Sequence, residues 1–430
     1  MSARKQPKIA VIGAGWSGLA AAVYLSGRAD LTVFEAGRTA GGRARTLAGD
    51  QAGFRFLDNG QHILMGAYRS VAELMDKIGS PAGTLRQLPL QWYLADGLQF
   101  QTADLPAPWH LLAGIARARG IGWYEKWQLL RQMAALKKET RDVAAAVWLR
   151  ECRCPPVLVR DFWQPLIWGA LNTPLEQAGI QFVRAVLQDG VWADKNAAQY
   201  WLPQSDLGSI VPEPAVRYLR EQGADLRFSQ RVSRLKTAVG RKVAVDGEWF
   251  DGVVLAVAPY HGAAMLPEEM PEEWVSAWRN TAYHAITTVY LRYGRAFSLP
   301  APMTGLADAT VQWFIAREDV AGQAQEVAAV ISVSDRLPPH DTRQWAAAAH
   351  RDLLRLVPNL PEPQAVRVIT EKRATAASTA GRRLPDCTWL HRQGIYPAGD
   401  WLHPRYPATL EAAVQSGRAA AEMMIDEYGM

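Results

Sequence analysis

Three glycines spaced two and three residues apart, Gly13, Gly15 and Gly18, form a Gly-x-Gly-x-x-Gly run that also holds Trp16 and Ser17. That spacing suits the gripping of a dinucleotide pyrophosphate. Gly13 permits a tight turn, Gly15 lets the pyrophosphate approach the backbone, and Gly18 lets the next helix pack close to the strand. Glu35 stands about twenty residues beyond, where a carboxylate holds an adenosine ribose hydroxyl. After Ala36 come Gly41 and Gly42, which permit a second close backbone approach, and Arg43 and Arg45, which add positive charge beside the phosphates. No cluster of residues has the spacing of a metal site or of a nucleophile with its base.

The elements that must position these residues are legible around them. Ile9 to Ile12 is an apolar strand leading into the glycines, and Leu19 to Leu25 is an alanine-rich helix leaving them. The start of that helix offers free N–H groups and partial positive charge to an anion. Leu31 to Phe34 is a second strand, tipped by Glu35. Phe54 to His62 reads as a strand ending in the polar turn Asp58-Asn59-Gly60-Gln61-His62. A helix ending at Gly223 is expected within Leu207 to Gln222, followed by short β-like runs to Val257. Near the C-terminus a strand ends in Gly399-Asp400. After Pro407, Ala408 and Thr409, a helix beginning at Leu410 buries Ala413, Val414, Gly417 and Ala421 at three- and four-residue steps.

The chain's 430 residues exceed what one core usually serves, so two lobes are expected. The net charge of +5 is too small and diffuse to suggest nucleic acid; it suits an anionic cofactor or an anionic membrane surface. Cys152, Cys154 and Cys387 make no disulfide framework, which fits a reducing, cytoplasmic setting. Arg4, Lys5 and Lys8 before an apolar stretch outline an export signal. The cofactor glycines lie in that stretch, however, so cleavage would destroy them and export is not expected.

Seventeen tryptophans suggest a large apolar cavity, a membrane-interface belt, or both. Trp163, Trp168 and Trp192 are candidates for a cavity wall, as is the pair Trp313 and Phe314; plain core is the alternative. Between Leu105 and Lys138, aromatic and basic residues interleave on expected helices. That pattern fits a peripheral membrane anchor, and equally an amphipathic helix packed on its own lobe.

The run Gly41-Gly42-Arg43-x-x-Thr46 after the acid, together with the C-terminal Gly-Asp helix, resembles the amine-oxidase and phytoene-desaturase superfamily, whose members bind FAD. Asp58 to Leu64, Phe162-Trp163-x-Pro165-Leu166 with Leu171-Asn172, and Tyr406 to Glu411 resemble the squalene-associated FAD-dependent desaturases. That group acts as hydroxysqualene dehydroxylases in bacterial hopanoid synthesis. The resemblance implies an α/β fold: a Rossmann-like, glutathione-reductase-like FAD domain with a parallel sheet and helices, and a discontinuous α+β substrate domain. The FAD domain would take residues 1–84, 207–262 and 386–430, the substrate domain 85–206 and 263–385. The resemblance also implies that Val232 pairs with the adenine, that Asp400 bonds the ribityl chain, and that Ala408, Thr409 and Leu410 face the flavin. Gly60, Gln61 and His62 would pass beside the isoalloxazine, making His62 a candidate proton donor and Asp58 an anchor. The implied substrate is an apolar polyprenoid, drawn from the inner membrane face, with neighbouring squalene-pathway enzymes as possible partners. A phytoene-type desaturase or an amine oxidase would share the cofactor motifs.

Overall fold

The structure, a computed structural model, describes residues 6–49, 51–338 and 341–430; Arg4 and Lys5 lie outside them. At its centre is a parallel sheet in the order Ile395–Pro397, Gly252–Leu255, Lys8–Ile12, Asp30–Phe34, Asp225–Arg227. Three distant pieces of chain therefore build one sheet. Its middle strand is apolar without alternation, Ile9 to Ile12, because helices or other strands cover both faces. The helix Trp16–Leu25 follows the first strand and buries every residue but Tyr24. The C-terminal helix Leu410–Tyr428 lies against it. A Cβ at Gly417 would come within 2.0 Å of the Ser17 carbonyl, so only glycine allows this approach.

A second layer is the antiparallel sheet Met303–Gly305, Trp313–Ala316, Glu326–Ser332, Tyr283–Arg292, Ala365–Ala376. Its residues alternate between two environments. Val289, Leu291, Phe314, Ala329 and Ile331 pack with Trp345 and Leu353 of the helix Thr342–Leu354. The opposite face turns Ile286, Thr288, Trp313, Ile315, Val330 and Ile369 toward a cavity. Over that cavity sit the helices Trp109–Ala116, Trp123–Lys138, Gln164–Leu171 and Ile180–Gly190.

Two sequence expectations change, and one strand was not foreseen. Phe54 to His62 is irregular, and among the described residues its strand-type pairing is an isolated bridge from Asp58 to Thr46. Its polar groups find side-chain partners instead: Arg317 binds the Phe56 carbonyl at 2.7 Å, and Tyr290 the Asp58 carbonyl at 3.2 Å. The stretch Leu207 to Gln222, expected to contain a helix, holds two, Leu207–Ile210 and Pro212–Glu221, parted at Val211 because Pro212 has no N–H to continue the ladder. Ala365–Ala376 is a twelve-residue strand at the sheet's edge that Glu371, Lys372 and Arg373 hide from a hydrophobicity reading.

Candidate functional site

A cavity of about 730 Å³ runs between the parallel sheet and the second layer. At one end lies the glycine turn. Gly13 adopts φ +99°, and a Cβ there would sit 2.5 Å from the Ala256 carbonyl oxygen. A Cβ on Gly18 would fall 1.9 Å from the Gly13 carbonyl oxygen, so helix and turn are already in contact. At Gly15 the nearest atom to such a Cβ is the Gly42 Cα, 3.9 Å away. Gly15 thus opens onto free space between two glycine-lined backbones, a cradle that any side chain would fill. Trp16 and Ser17 share this wall, and Trp16 Nε1 donates to the Ala44 carbonyl at 2.9 Å.

Glu35 holds the cradle's shape. Its carboxylate accepts the Ala14 N–H at 2.7 Å and the Gly37 N–H at 2.6 Å. Gln230 donates its N–H to the Glu35 carbonyl, which brings Val232 to the same wall beside Ala36. Arg43 reaches across to the C-terminal segment: its guanidinium pairs with Asp400 at 2.6 Å and bonds the Ala374 carbonyl at 2.7 Å. Burial opposes the Arg43 charge, but the Asp400 carboxylate together with Tyr283 and Tyr260 outweighs it and raises the pKa above the ordinary arginine value. Arg45 turns back onto the Gly42 carbonyl. Gly399, Ala408, Thr409 and Leu410 complete this side, with Thr409 capping the C-terminal helix by accepting the Ala412 N–H at 3.1 Å.

Gly60, Gln61 and His62 line the middle of the cavity. The His62 Nδ1–H donates to the Gly60 carbonyl at 3.0 Å. Burial lowers the imidazole pKa; that bond opposes the shift, and the Arg43 charge adds to it by a lesser amount. His62 is therefore a neutral ring with its one proton committed and Nε2 left as an acceptor, which does not suit a proton donor. Asp58 is off the wall. Its Oδ1 lies 2.9 Å from the Thr46 hydroxyl and accepts the Leu207 N–H at 3.1 Å, tying three segments together. Burial drives its pKa to about 7, with Asp206 adding to the effect and the Leu207 and Thr46 bonds opposing it.

Five carboxylates reach the wall: Glu35, Asp189, Glu371, Asp400 and Glu411. Four are firmly engaged. Glu411 accepts the Ser70 and Val71 N–H groups at the start of Arg69–Lys77, and Asp189 accepts from Arg405 and Tyr406. Among the described residues Glu371 accepts only from the Asn59 amide at 3.2 Å and the Arg373 N–H at 3.4 Å. Sequence reasoning missed it because its strand was not legible.

The far end is hydrocarbon. Phe162, Pro165, Leu166, Gly169 and Ala170 line it, the one face of a helical turn at three- and four-residue steps. That face excludes Trp163, which is fully buried behind it, donating to Gln132 at 2.7 Å and stacked edge-on to Trp148. Trp168 and Trp192 also lie off the wall, packed on the helical core, with Lys137 over the Trp192 ring. Trp313 is on the wall, edge-on to Trp92, which sequence reading did not single out. Phe314, its neighbour, faces away as strand alternation requires.

Residues 16–425 match the family described as flavin containing amine oxidoreductase. The chain is 31% identical to a hydroxysqualene dehydroxylase of Rhodopseudomonas palustris, over 96% of this chain and 97% of that one. It is 26% identical to a hydroxysqualene dehydroxylase of Sinorhizobium fredii, over 97% and 98% of the two chains. The fold is similar to that of a putrescine oxidase triple mutant made in a redesign of cofactor binding. That likeness has a TM-score of 0.71 at 18% identity, covering 98% of this chain and 99% of that one. FAD is the cofactor, and the Gly15 cradle, the Glu35 carboxylate and the Leu410 helix start fit its pyrophosphate, ribose and flavin ends.

Proposed function

We infer that this chain, which belongs to the flavin containing amine oxidoreductase family and is an FAD-dependent oxidoreductase, removes the hydroxyl group of hydroxysqualene to give squalene. The observation that carries this reading is the cavity's division: a polar, glycine-lined half beside an apolar half lined by Trp92, Phe162, Leu166 and Trp313. The match to dehydroxylases along the full chain supports it.

When bound and reduced, the flavin supplies a hydride to the carbon that loses its hydroxyl. The chain's residues prepare for that. Gly13, Gly15, Gly18 and Glu35 hold the dinucleotide, with Arg43 joined to Asp400 to keep the two cofactor segments in register. Phe162, Leu166, Trp92 and Trp313 exclude water from the carbon that becomes cationic as water departs. Departure of the hydroxyl as water needs one proton. Glu371, the least engaged carboxylate on the wall, is our choice for its donor, in place of His62. Such a substrate is dissolved in membrane, so the enzyme works as a peripheral protein at the bilayer's inner face, near the pathway enzymes that make and use it. Among the described residues no helix is long and apolar enough to cross a membrane.

Supplying hydroxysqualene and phytoene to reduced and to oxidised enzyme tests the reading. Conversion of hydroxysqualene by the reduced form only is expected. Dehydrogenation of phytoene by the oxidised form alone would overturn it.

A further inference from the structure

We propose that the face built by Trp109–Ala116 and Trp123–Lys138 seats on an anionic lipid bilayer, and that the cavity is loaded with hydrocarbon from that side. The loading rests on the polyprenoid reading; the seating does not. Half of the exposed large apolar side chains among the described residues fall between positions 105 and 127: Leu105, Trp109, Trp123, Tyr124 and Trp127. Trp123 is 75% exposed and Trp109 61%. Exposed single apolar residues are ordinary, but this density of aromatic rings on two neighbouring helices is not.

The two helices act as a unit. Lys126 Nζ donates to the Ala116 carbonyl at 2.9 Å and lies 4.5 Å from the centre of the Trp123 ring. The charge of the segment identifies the partner. Residues 105–138 hold six Lys and Arg against one acid, Glu125, an excess equal to the +5 of the whole chain. Arg117, Arg119, Lys137 and Lys138 are exposed. Two copies meeting through this face would set like charge against like, whereas anionic headgroups complement it. Amphipathic rings at the headgroup level, flanked by cations, form an interfacial anchor. On the inward side of the same helices, Leu111 and Met133 line the cavity. One layer of helix thus separates lipid from the hydrocarbon half of the site.

The test is co-sedimentation of the FAD-loaded enzyme with vesicles of phosphatidylcholine, with and without phosphatidylglycerol. Wild type is expected to bind the phosphatidylglycerol vesicles, more weakly at high salt. Joint replacement Trp123→Ser and Trp127→Ser should weaken that binding about tenfold or more. Joint replacement Arg117→Gln and Arg119→Gln should weaken it about tenfold, on the anionic vesicles alone. Both variants should keep their flavin absorbance and their turnover in detergent, because these side chains point outward. Variants that bind like wild type, a wild type that ignores anionic vesicles, or tryptophan-dependent self-association without vesicle binding would each overturn the proposal. Turnover of hydroxysqualene in detergent without vesicle binding sinks the seating alone. Vesicle binding without turnover sinks the functional reading alone.

Discussion

Among single residues, Glu371 and His62 divide their work differently from what residue type suggests. A neutral imidazole whose proton is held by the Gly60 carbonyl is an acceptor, whereas Glu371, which accepts one long bond at each oxygen, is our choice to carry the proton that the leaving hydroxyl takes. Glu371→Gln should lower the single-turnover rate of reduced enzyme about 10²- to 10⁴-fold, with flavin content unchanged. His62→Ala should cost less than about tenfold, and the wild-type rate should show no histidine titration between about pH 6.5 and 8. The sign follows from the depressed pKa: His62 is already deprotonated throughout that range. A larger loss for His62→Ala than for Glu371→Gln would reverse the assignment.

Asp58 gives a stability prediction with the opposite sign from most carboxylates. Its folded pKa, about 7, lies above its unfolded value. Its contribution is therefore fully present below the unfolded pKa of about 4 and is lost as pH rises to about 7. Urea midpoints should fall by the equivalent of a few kcal/mol over that window, and Asp58→Asn should flatten the decline. The sequence showed Asp58 and His62 as polar residues in a turn. It could not show their protonation, which depends on burial and on Arg43, Asp206 and Thr46 brought in from elsewhere.

Among elements, the glycine turn separates folding from binding. Gly18→Ala would push a methyl into the Gly13 carbonyl, and overpacking of that kind costs about 1–3 kcal/mol or more, so soluble protein should drop sharply. Gly15→Ala meets open space, so circular dichroism should stay native while the protein purifies with little flavin. Equal flavin retention in the Gly15→Ala protein would remove the cradle from the account. The turn was legible because its spacing carries its geometry. The segment 162–170 was legible only in part: its aromatic density drew attention to Trp163, whereas its helical period points to Phe162, Leu166 and Gly169. The strand Ala365–Ala376 was not legible, because it sits at a sheet edge among charged residues and takes its conformation from Tyr283–Arg292.

At the scale of the whole molecule, one sheet assembled from residues near 10, 30, 225, 253 and 396 makes cofactor binding and folding a single problem. FAD added at about a hundred times its Kd should stabilise the apoprotein by about 2.7 kcal/mol, read as a rise in thermal midpoint. The parallel sheet was foreseeable from its apolar strands and its acid-tipped second strand. A large apolar cavity was expected from the tryptophans, but most of its walls were not, since they come from segments more than 300 residues apart, such as Gly15 and Asp400. The most direct test of the account is a single turnover: anaerobically reduced, FAD-loaded enzyme mixed with hydroxysqualene, with product and flavin oxidation measured together. One squalene per flavin oxidised is the predicted result. Flavin that stays reduced over unchanged hydroxysqualene would contradict it.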